Sequence, residues 1–485
     1  MLDVGNNQLS GPVPSSIFSL PNLRRIMFWY NTITGRLPET APPALEELIG
    51  DANLLRGTVP AWVGQSTTLD RFSLGENMLN GTVPDFGPVS VLRRLSLHDN
   101  SLSGTIPPSL TMLPSLSNLN LASNNLQGAI PPFAFNEENL ERLSLSDNGL
   151  NGPVDQIISS LPPSLDFLEL SGNVLKGTIP SSIGRLSLCF LDLQSNQIEG
   201  TIPSEIGNLT LLKQASLEFN RLSGSIPSEV GQLSMLNDLR LHKNMLNGTL
   251  PTELCLLPLL RTLNVGSNRI SGQIPSEISR CTNLRDLKLE HNPIAANLSE
   301  LVGHLPTSTV ELVLRGTGLR GSVPSNIRRL SNLETLDLRH TRLEGTLPSE
   351  VGLLGNLTEL HLVRTGLSGS LVSEIGQLVS LQTLSVGGNG FRGQLPAEMV
   401  GMLNLRNLWI AVNNFSGSPN VTLGIPSLRY VELHGNSFDD LGDVCNSGIT
   451  LLTFIANYCN ETRYICPCCT HCCRYDASSC PSLSP

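Results

Sequence analysis

Apolar and polar residues alternate along this chain in one recurring pattern. In Leu92-x-x-Leu95-x-Leu97-x-x-Asn100-x-Leu102-x-Gly104-x-Ile106-Pro107, aliphatic side chains hold fixed places between polar ones, and the pattern returns about every 24 residues. Its asparagine stands at Asn7, Asn31, Asn53, Asn77, Asn100, Asn124, Asn148, Asn173, Asn196, Asn220, Asn244, Asn268 and Asn292. Threonine takes the slot at Thr317, Thr341 and Thr365, and asparagine resumes at Asn389, Asn413, Asn436 and Asn457. These 20 registers, spaced by 21 to 25 residues, mark a stack of like supersecondary units. Such a stack grows in one direction without splitting into separate cores.

The segment Leu-x-x-Leu-x-Leu reads as a short strand with one buried face, and strands of successive repeats should lie parallel, about 4.8 Å apart. The asparagine follows where the chain turns inward. Its amide both donates and accepts, so it can satisfy the backbone of its own turn and of its neighbour. Threonine can fill part of that role with one hydroxyl. The glycine of Leu-x-Gly-x-Ile-Pro permits a backbone path closed to other residues. Runs such as Ser204-Glu205-Ile206-Gly207 and Ser349-Glu350-Val351-Gly352 follow the Ile-Pro pair. Proline and an early glutamate suit the first turn of a helix, so a short helical turn is expected on the side away from the strands.

Over roughly residues 1–457 the unit resembles the plant-type leucine-rich repeat of the ectodomains of plant receptor-like kinases and receptor-like proteins. The resemblance implies an α/β repeat fold: a right-handed leucine-rich repeat solenoid with a parallel β-sheet on the concave face, a further outward-facing strand set, and short helical turns on the convex face. The expected division is a solenoid of about 19 repeats at 1–440, then a final strand and cysteine-rich cap at 441–485. Two repeats depart from the pattern. Val154-Asp155 replaces Ile-Pro in one, and Pro293, Ala296 and Ser299 disturb another. With the three threonines, residues 292–372 are expected to be irregular.

Composition bounds the function. Hydrophobic residues make up 40% and charged ones 15%, as in a folded protein, and aromatics only 4%, because the core is aliphatic. A net charge of -10 disfavours nonspecific binding to nucleic acid or anionic membranes. Among the basic residues arginine far exceeds lysine, favouring planar bidentate contacts. There is no run of 18 apolar residues to span a membrane and no visible signal peptide. Met1-Leu2-Asp3-Val4 opens directly inside a strand, whereas solenoid ends need capping. The expectation is therefore a chain lacking its N-terminal cap, with any secretion signal or membrane anchor in a preceding segment.

Cys445, Cys459, Cys466, Cys468, Cys469, Cys472, Cys473 and Cys480 crowd the last residues. An even count there reads as a disulfide-bonded cap with 105 conceivable pairings, and implies an oxidising compartment. Zinc is the alternative, since Cys469-Thr470-His471-Cys472 has ligand-like spacing. This segment resembles the closing unit of leucine-rich repeat proteins from diatoms and related algae. Cys189, Cys255 and Cys281 read as buried or partly buried thiols.

Two motifs imitate chemistry. Asp85-Phe86-Gly87 spells a kinase magnesium motif, but no His-Arg-Asp accompanies it. Gly388-x-Gly390-x-x-Gly393 matches a dinucleotide fingerprint, yet Gly393 is the ordinary repeat glycine, and a strand should follow instead of a long helix. No phosphate loop, nucleophile elbow or zinc-protease motif occurs. The expectation is a non-enzyme without cofactor or catalytic centre.

Recognition is then sought on the variable strand positions, which should point into solvent from a rigid sheet. Six of the eight histidines fall there by register: His98, His242, His291, His340, His361 and His434. Arg240, Lys243, Lys288, Arg315, Arg339 and Arg364 lie beside them, interleaved with Asp238, Asp286, Glu290, Glu311, Asp337 and Glu359. One reading is a solvated face of weak cross-strand ion pairs. The other is a mixed-charge groove for an acidic or carboxylate-bearing ligand, sensitive to pH through its histidines. Met27, Trp29 and Tyr30, and separately Trp409 and Tyr430, are candidate aromatic anchors. Asn80, Asn208, Asn247, Asn297, Asn356, Asn414, Asn420 and Asn460 open glycosylation sequons. The leading function is an extracellular or cell-surface recognition module for a peptide, protein or glycan ligand, with a co-receptor as a further partner. A structural or adhesive scaffold, and an ectodomain fragment of a receptor-like kinase, are the alternatives.

Overall fold

The structure is a computed structural model that describes residues 1–87, 90–133 and 139–439 and the backbone of strands at Thr453–Asn457 and His471–Cys473; for residues 421–423 it describes the backbone alone. The chain divides into two compact units, Met1–Leu246 and Asn247–Pro485. The proposed disulfide or zinc cluster at Cys445–Cys480 and the sequon at Asn460 lie outside the residues whose side chains are described. The strand expected near Leu452 runs over Thr453–Asn457 and pairs in parallel with Tyr430–Glu432.

In the first unit each repeat contributes one strand to a parallel ladder. Arg71–Ser73, Arg94–Ser96, Asn118–Asn120, Arg142–Ser144, Phe167–Glu169 and Phe190–Asp192 follow one another in register, so that Leu95, Leu119, Leu143 and Leu168 stand in one column. In the second unit Thr262–Asn264, Asp286–Lys288, Glu311–Val313, Thr335–Asp337, Glu359–His361, Thr383–Ser385 and Asn407–Trp409 do the same. The alternation of the strand sends the central leucines inward. Leu92, Leu97 and Leu102 of one repeat have no exposed surface, and each such burial stabilises by about 2 kcal/mol.

The asparagine explains the period. Asn100 Nδ2 donates to the carbonyls of Leu97 at 3.1 Å and His98 at 3.0 Å within its own repeat, and to Leu74 of the preceding one at 2.9 Å. Its Oδ1 accepts from the Leu79 amide at 2.8 Å. One side chain thus bonds four backbone groups across two repeats, and Asn53, Asn124 and Asn173 repeat the scheme. The turn it fastens places the preceding residue in the left-handed region even where that residue is bulky, as at Phe219 with φ 55° and His291 with φ 54°.

Threonine does less. Thr317 and Thr341 donate to Leu314 and Leu338 at 2.7 Å, and Thr365 to Leu362 at 3.1 Å, all within their own repeats. No bond from these hydroxyls to the preceding repeat occurs among the described residues. The outer strand set is broken here into the two-stranded pair Arg320–Gly321 and Arg342–Leu343, separate from the four-stranded set that begins at Ser368–Gly369.

The helical turns are mostly five-residue 3-10 turns capped by the repeat proline, such as Ser204–Asn208 after Pro203 and Ser349–Leu353 after Pro348. The two departures from Ile-Pro become seven-residue α-helices, Val154–Ser160 and Leu298–His304. Asp155 and Ser299 stand where the repeat proline would, and each helix starts two residues earlier in its repeat, whereas Val372 in the same slot keeps the ordinary turn Ser373–Gln377. Asn297 caps the second by accepting from the Ser299 amide at 2.9 Å. Gly390 and Gly393 lie in one strand of the outer set, as the register requires, which removes the dinucleotide reading.

Candidate functional site

Each three-residue strand presents its first and third side chains outward and buries the second. In the sequence-chosen region this arrangement brings opposite charges together. Arg240 binds the Asp238 carboxylate through Nε at 3.0 Å and Nη2 at 2.8 Å. Arg339 does the same to Asp337, with Nε at 2.8 Å, and Lys288 pairs with Glu311. His361 lies 3.2 Å from Glu359, and His434 lies 3.1 Å from Glu432. Arg315 donates to His291 Nε2 at 3.1 Å. Most of the chosen cations are thus occupied by an acid two residues away on their own strand or by a group on the adjoining repeat.

The histidines are placed differently from the expectation. Only His361 lies within a strand, and it is buried rather than solvent-facing, at 8% exposure. His98, His242, His291, His340 and His434 stand in the turn that follows a strand, because the inward bend to the asparagine begins there. His291, His340 and Arg364 nonetheless meet, lining a broad depression with Gly316, Thr317 and Thr341. His340 titrates below its ordinary value, through desolvation first and then the charges of Arg364, Arg315 and Arg339.

The aromatic anchors form two edge-to-face pairs. Trp29 and Tyr30 have ring centroids 5.8 Å apart, and Trp409 and Tyr430 5.7 Å. Burial, reinforced by Glu432, pushes Tyr430 up to about 12. Phe219 meets His242 edge-on at 5.0 Å, and the Lys243 ammonium lies 4.3 Å from its centroid.

Sequence reasoning passed over one arginine column of the first unit, whose members have little such neutralisation. Arg71, Arg94 and Arg142 occupy the first outward column, with Asn118 between the last two, and line a groove of about 320 Å³ with Ser73, Ser96, Asn120 and Ser144. Arg71 has only Glu47, 4.0 Å away, and its buried Nε has no hydrogen-bond partner. Arg94 and Arg142 have no ion pair among the described residues. The Arg142 guanidinium lies 4.2 Å from the Phe167 centroid, and Phe167 stacks on Phe190 at 4.5 Å. Reading the first strand position of each register in turn would have found this column.

Beyond the phenylalanines lie buried acids. Asp192 and Glu218 are only 5% and 3% exposed. Burial pushes Glu218 up to about 7, assisted by Asp192 and Asp238 and opposed by its own amide and Arg240. Among the described residues no group of three or more His, Cys, Asp or Glu could hold a metal ion, and no helix is long and apolar enough to cross a membrane.

Comparison with known proteins fits this geometry. A family model described as a leucine-rich repeat region matches residues 311–414, and the single leucine-rich repeat matches at 91–113, 139–161, 164–186, 187–209 and 259–281. Receptor-like protein 32 of Arabidopsis thaliana is 30% identical over 90 residues, 17% of this chain and 10% of that protein. The chain thus matches about a tenth of the length of its curated relatives. Among solved structures, PEPR1-AtPEP1 superposes with a TM-score of 0.80 at 28% identity, covering 96% of this chain and 69% of that one. The Arabidopsis receptor kinase HAESA, in complex with the peptide hormone IDA and the co-receptor SERK1, gives 0.72 at 28% identity, covering 88% and 78%. Its repeat registers, its parallel strand ladders and these matches make the chain a leucine-rich repeat solenoid similar to the plant receptor ectodomains.

Proposed function

We propose that this chain is the recognition module of an extracellular, receptor-like or secreted leucine-rich repeat protein, and that it holds a peptide or protein ligand across its outward strand positions. The observation that carries the reading is the arginine-lined groove of the first unit. Its first outward column holds Arg71, Arg94, Asn118, Arg142 and Phe167 in turn, while the positions beneath stay apolar and the asparagine recurs. A rigid scaffold bearing variable side chains suits recognition, and function in such folds resides in the grafted surface. The likeness to ectodomains solved with a peptide hormone supports the same reading. A co-receptor and a membrane anchor outside this chain are compatible with it.

The test is selection from a displayed random-peptide library against the whole chain. Enriched peptides should lose binding to Trp409→Ala or Arg94→Gln and keep it with Arg221→Gln, a change on the exposed outer strand Arg221–Ser225. Peptides that ignore both inner-face changes, or no enrichment at all, would overturn the reading.

A further inference from the structure

We propose that the groove between Arg71 and Phe167 is a subsite for an extended acidic peptide with carboxylates on alternate residues, an inference that rests on the recognition reading above. Strand spacing sets the arginine positions. From Arg71, Arg94 is one strand away, about 4.8 Å, and Arg142 is three strands away, about 14 Å. In an extended peptide, same-face side chains at i, i+2 and i+4 stand at 0, about 7 and about 14 Å. The two outer carboxylates thus match Arg71 and Arg142, and the flexible Arg94 side chain reaches the middle one. Asn118, between Arg94 and Arg142, can both donate and accept toward the peptide backbone.

Among the described residues Arg71 has only the Glu47 carboxylate at 4.0 Å and Arg94 and Arg142 have no ion pair, although the net charge is -10. Arg71 and Arg94 are direct cross-strand partners, so their like charges repel until an anion lies between them. The Arg142 guanidinium carbon lies 4.2 Å from the Phe167 centroid, and a planar guanidinium placed there can take a bidentate carboxylate. Glu169 closes the far end, where its carboxylate accepts from the Ser144 hydroxyl. Its charge excludes another acid there, and the stacked Phe167 and Phe190 favour an apolar residue after the acidic ones. That apolar platform selects a peptide over a polyuronate, whose every unit is charged and hydroxylated.

The test uses the full chain and two labelled peptides, Glu-Ala-Glu-Ala-Glu-Leu and its glutamine counterpart, read by fluorescence anisotropy at low salt. The acidic peptide should bind about 10-fold tighter or more, as two charge-assisted hydrogen bonds require. The double variant Arg94→Gln/Arg142→Gln should lose that advantage and its salt dependence, with an unchanged melting profile, while Arg221→Gln keeps both. Equal binding of the two peptides, an indifferent double variant, or tighter binding of tetragalacturonate would overturn the subsite. A library-selected peptide that tolerates the double variant but not Trp409→Ala would overturn the acidic subsite alone and leave the recognition reading standing.

Discussion

Glu218 makes the stability of the first unit depend on pH in an unusual direction. Its carboxylate is 3% exposed, Oε2 has no hydrogen-bond partner, and its folded pKa rises from 4.5 to about 7. The folded chain therefore binds a proton between those values that the unfolded chain has released. Stability linked to this group is complete below about pH 4.5 and is lost as pH rises through 7. A shift from 4.5 to 7 corresponds to on the order of 3 kcal/mol. Glu218→Gln keeps the shape and removes the titration. The variant should match the parent near pH 4.5 and exceed it by on the order of 3 kcal/mol at pH 7.5. Urea unfolding followed by circular dichroism at several pH values measures the difference, and subtraction cancels the other carboxylates. Asp192 is also raised by burial, so a smaller slope of the same sign should persist in the variant. A parent–variant difference that stays flat between these pH values would refute the reasoning.

Three further outcomes follow from the packing. Asn100→Ala strands buried backbone groups on two repeats and should cost about 2–3 kcal/mol in chemical denaturation, whereas Thr341→Ala, which breaks one local bond, should cost about 1 kcal/mol. Asn297→Ala removes a helix cap and should cost about 1 kcal/mol by the same measurement. The thiols of Cys255 and Cys281 are hydrogen-bonded neighbours, a contact that pushes Cys255 up and Cys281 down. Cys281 should therefore attack glutathione disulfide, releasing one glutathione, and Cys255 should then displace the second to join the two. Non-reducing tryptic mapping should then show residues 244–261 linked to 281–285, and closing that loop should stabilise by about 3 kcal/mol.

The repeat fold was legible because its cause is local and recurrent. A leucine that must face inward recurs along the chain, and an asparagine that must bridge two turns can be recognised from Asn7 to Asn436 at every register but the three threonine ones. The helix at Leu298–His304 was legible only as a departure, because the missing proline announced a change without saying which way the chain would go. The site was harder to read. His361 sits at an outward register yet is buried, its Nε2 3.2 Å from Glu359. Arg339 and Asp337 look like two exposed charges in the sequence and are one bonded pair in the structure. Pairing depends on rotamers and on which column a residue occupies. The column of Arg71, Arg94 and Arg142 can be read from the register, but that Arg94 and Arg142 have no acid beside them among the described residues takes the structure.

The three threonines carry a consequence for how the second unit comes apart. In a stack of repeats, cooperativity is a sum of nearest-neighbour couplings, and each asparagine amide is one such coupling. At Thr317, Thr341 and Thr365 the coupling to the preceding repeat is reduced to leucine packing and the strand ladder. Opening should start there, and amides of residues 311–343 should exchange with solvent before those of residues 383–415. Thr341→Asn would restore one bridge and should slow that exchange. The segment beside His291, His340 and Arg364 is thus a built-in line of fracture, at which the solenoid yields before its neighbours do.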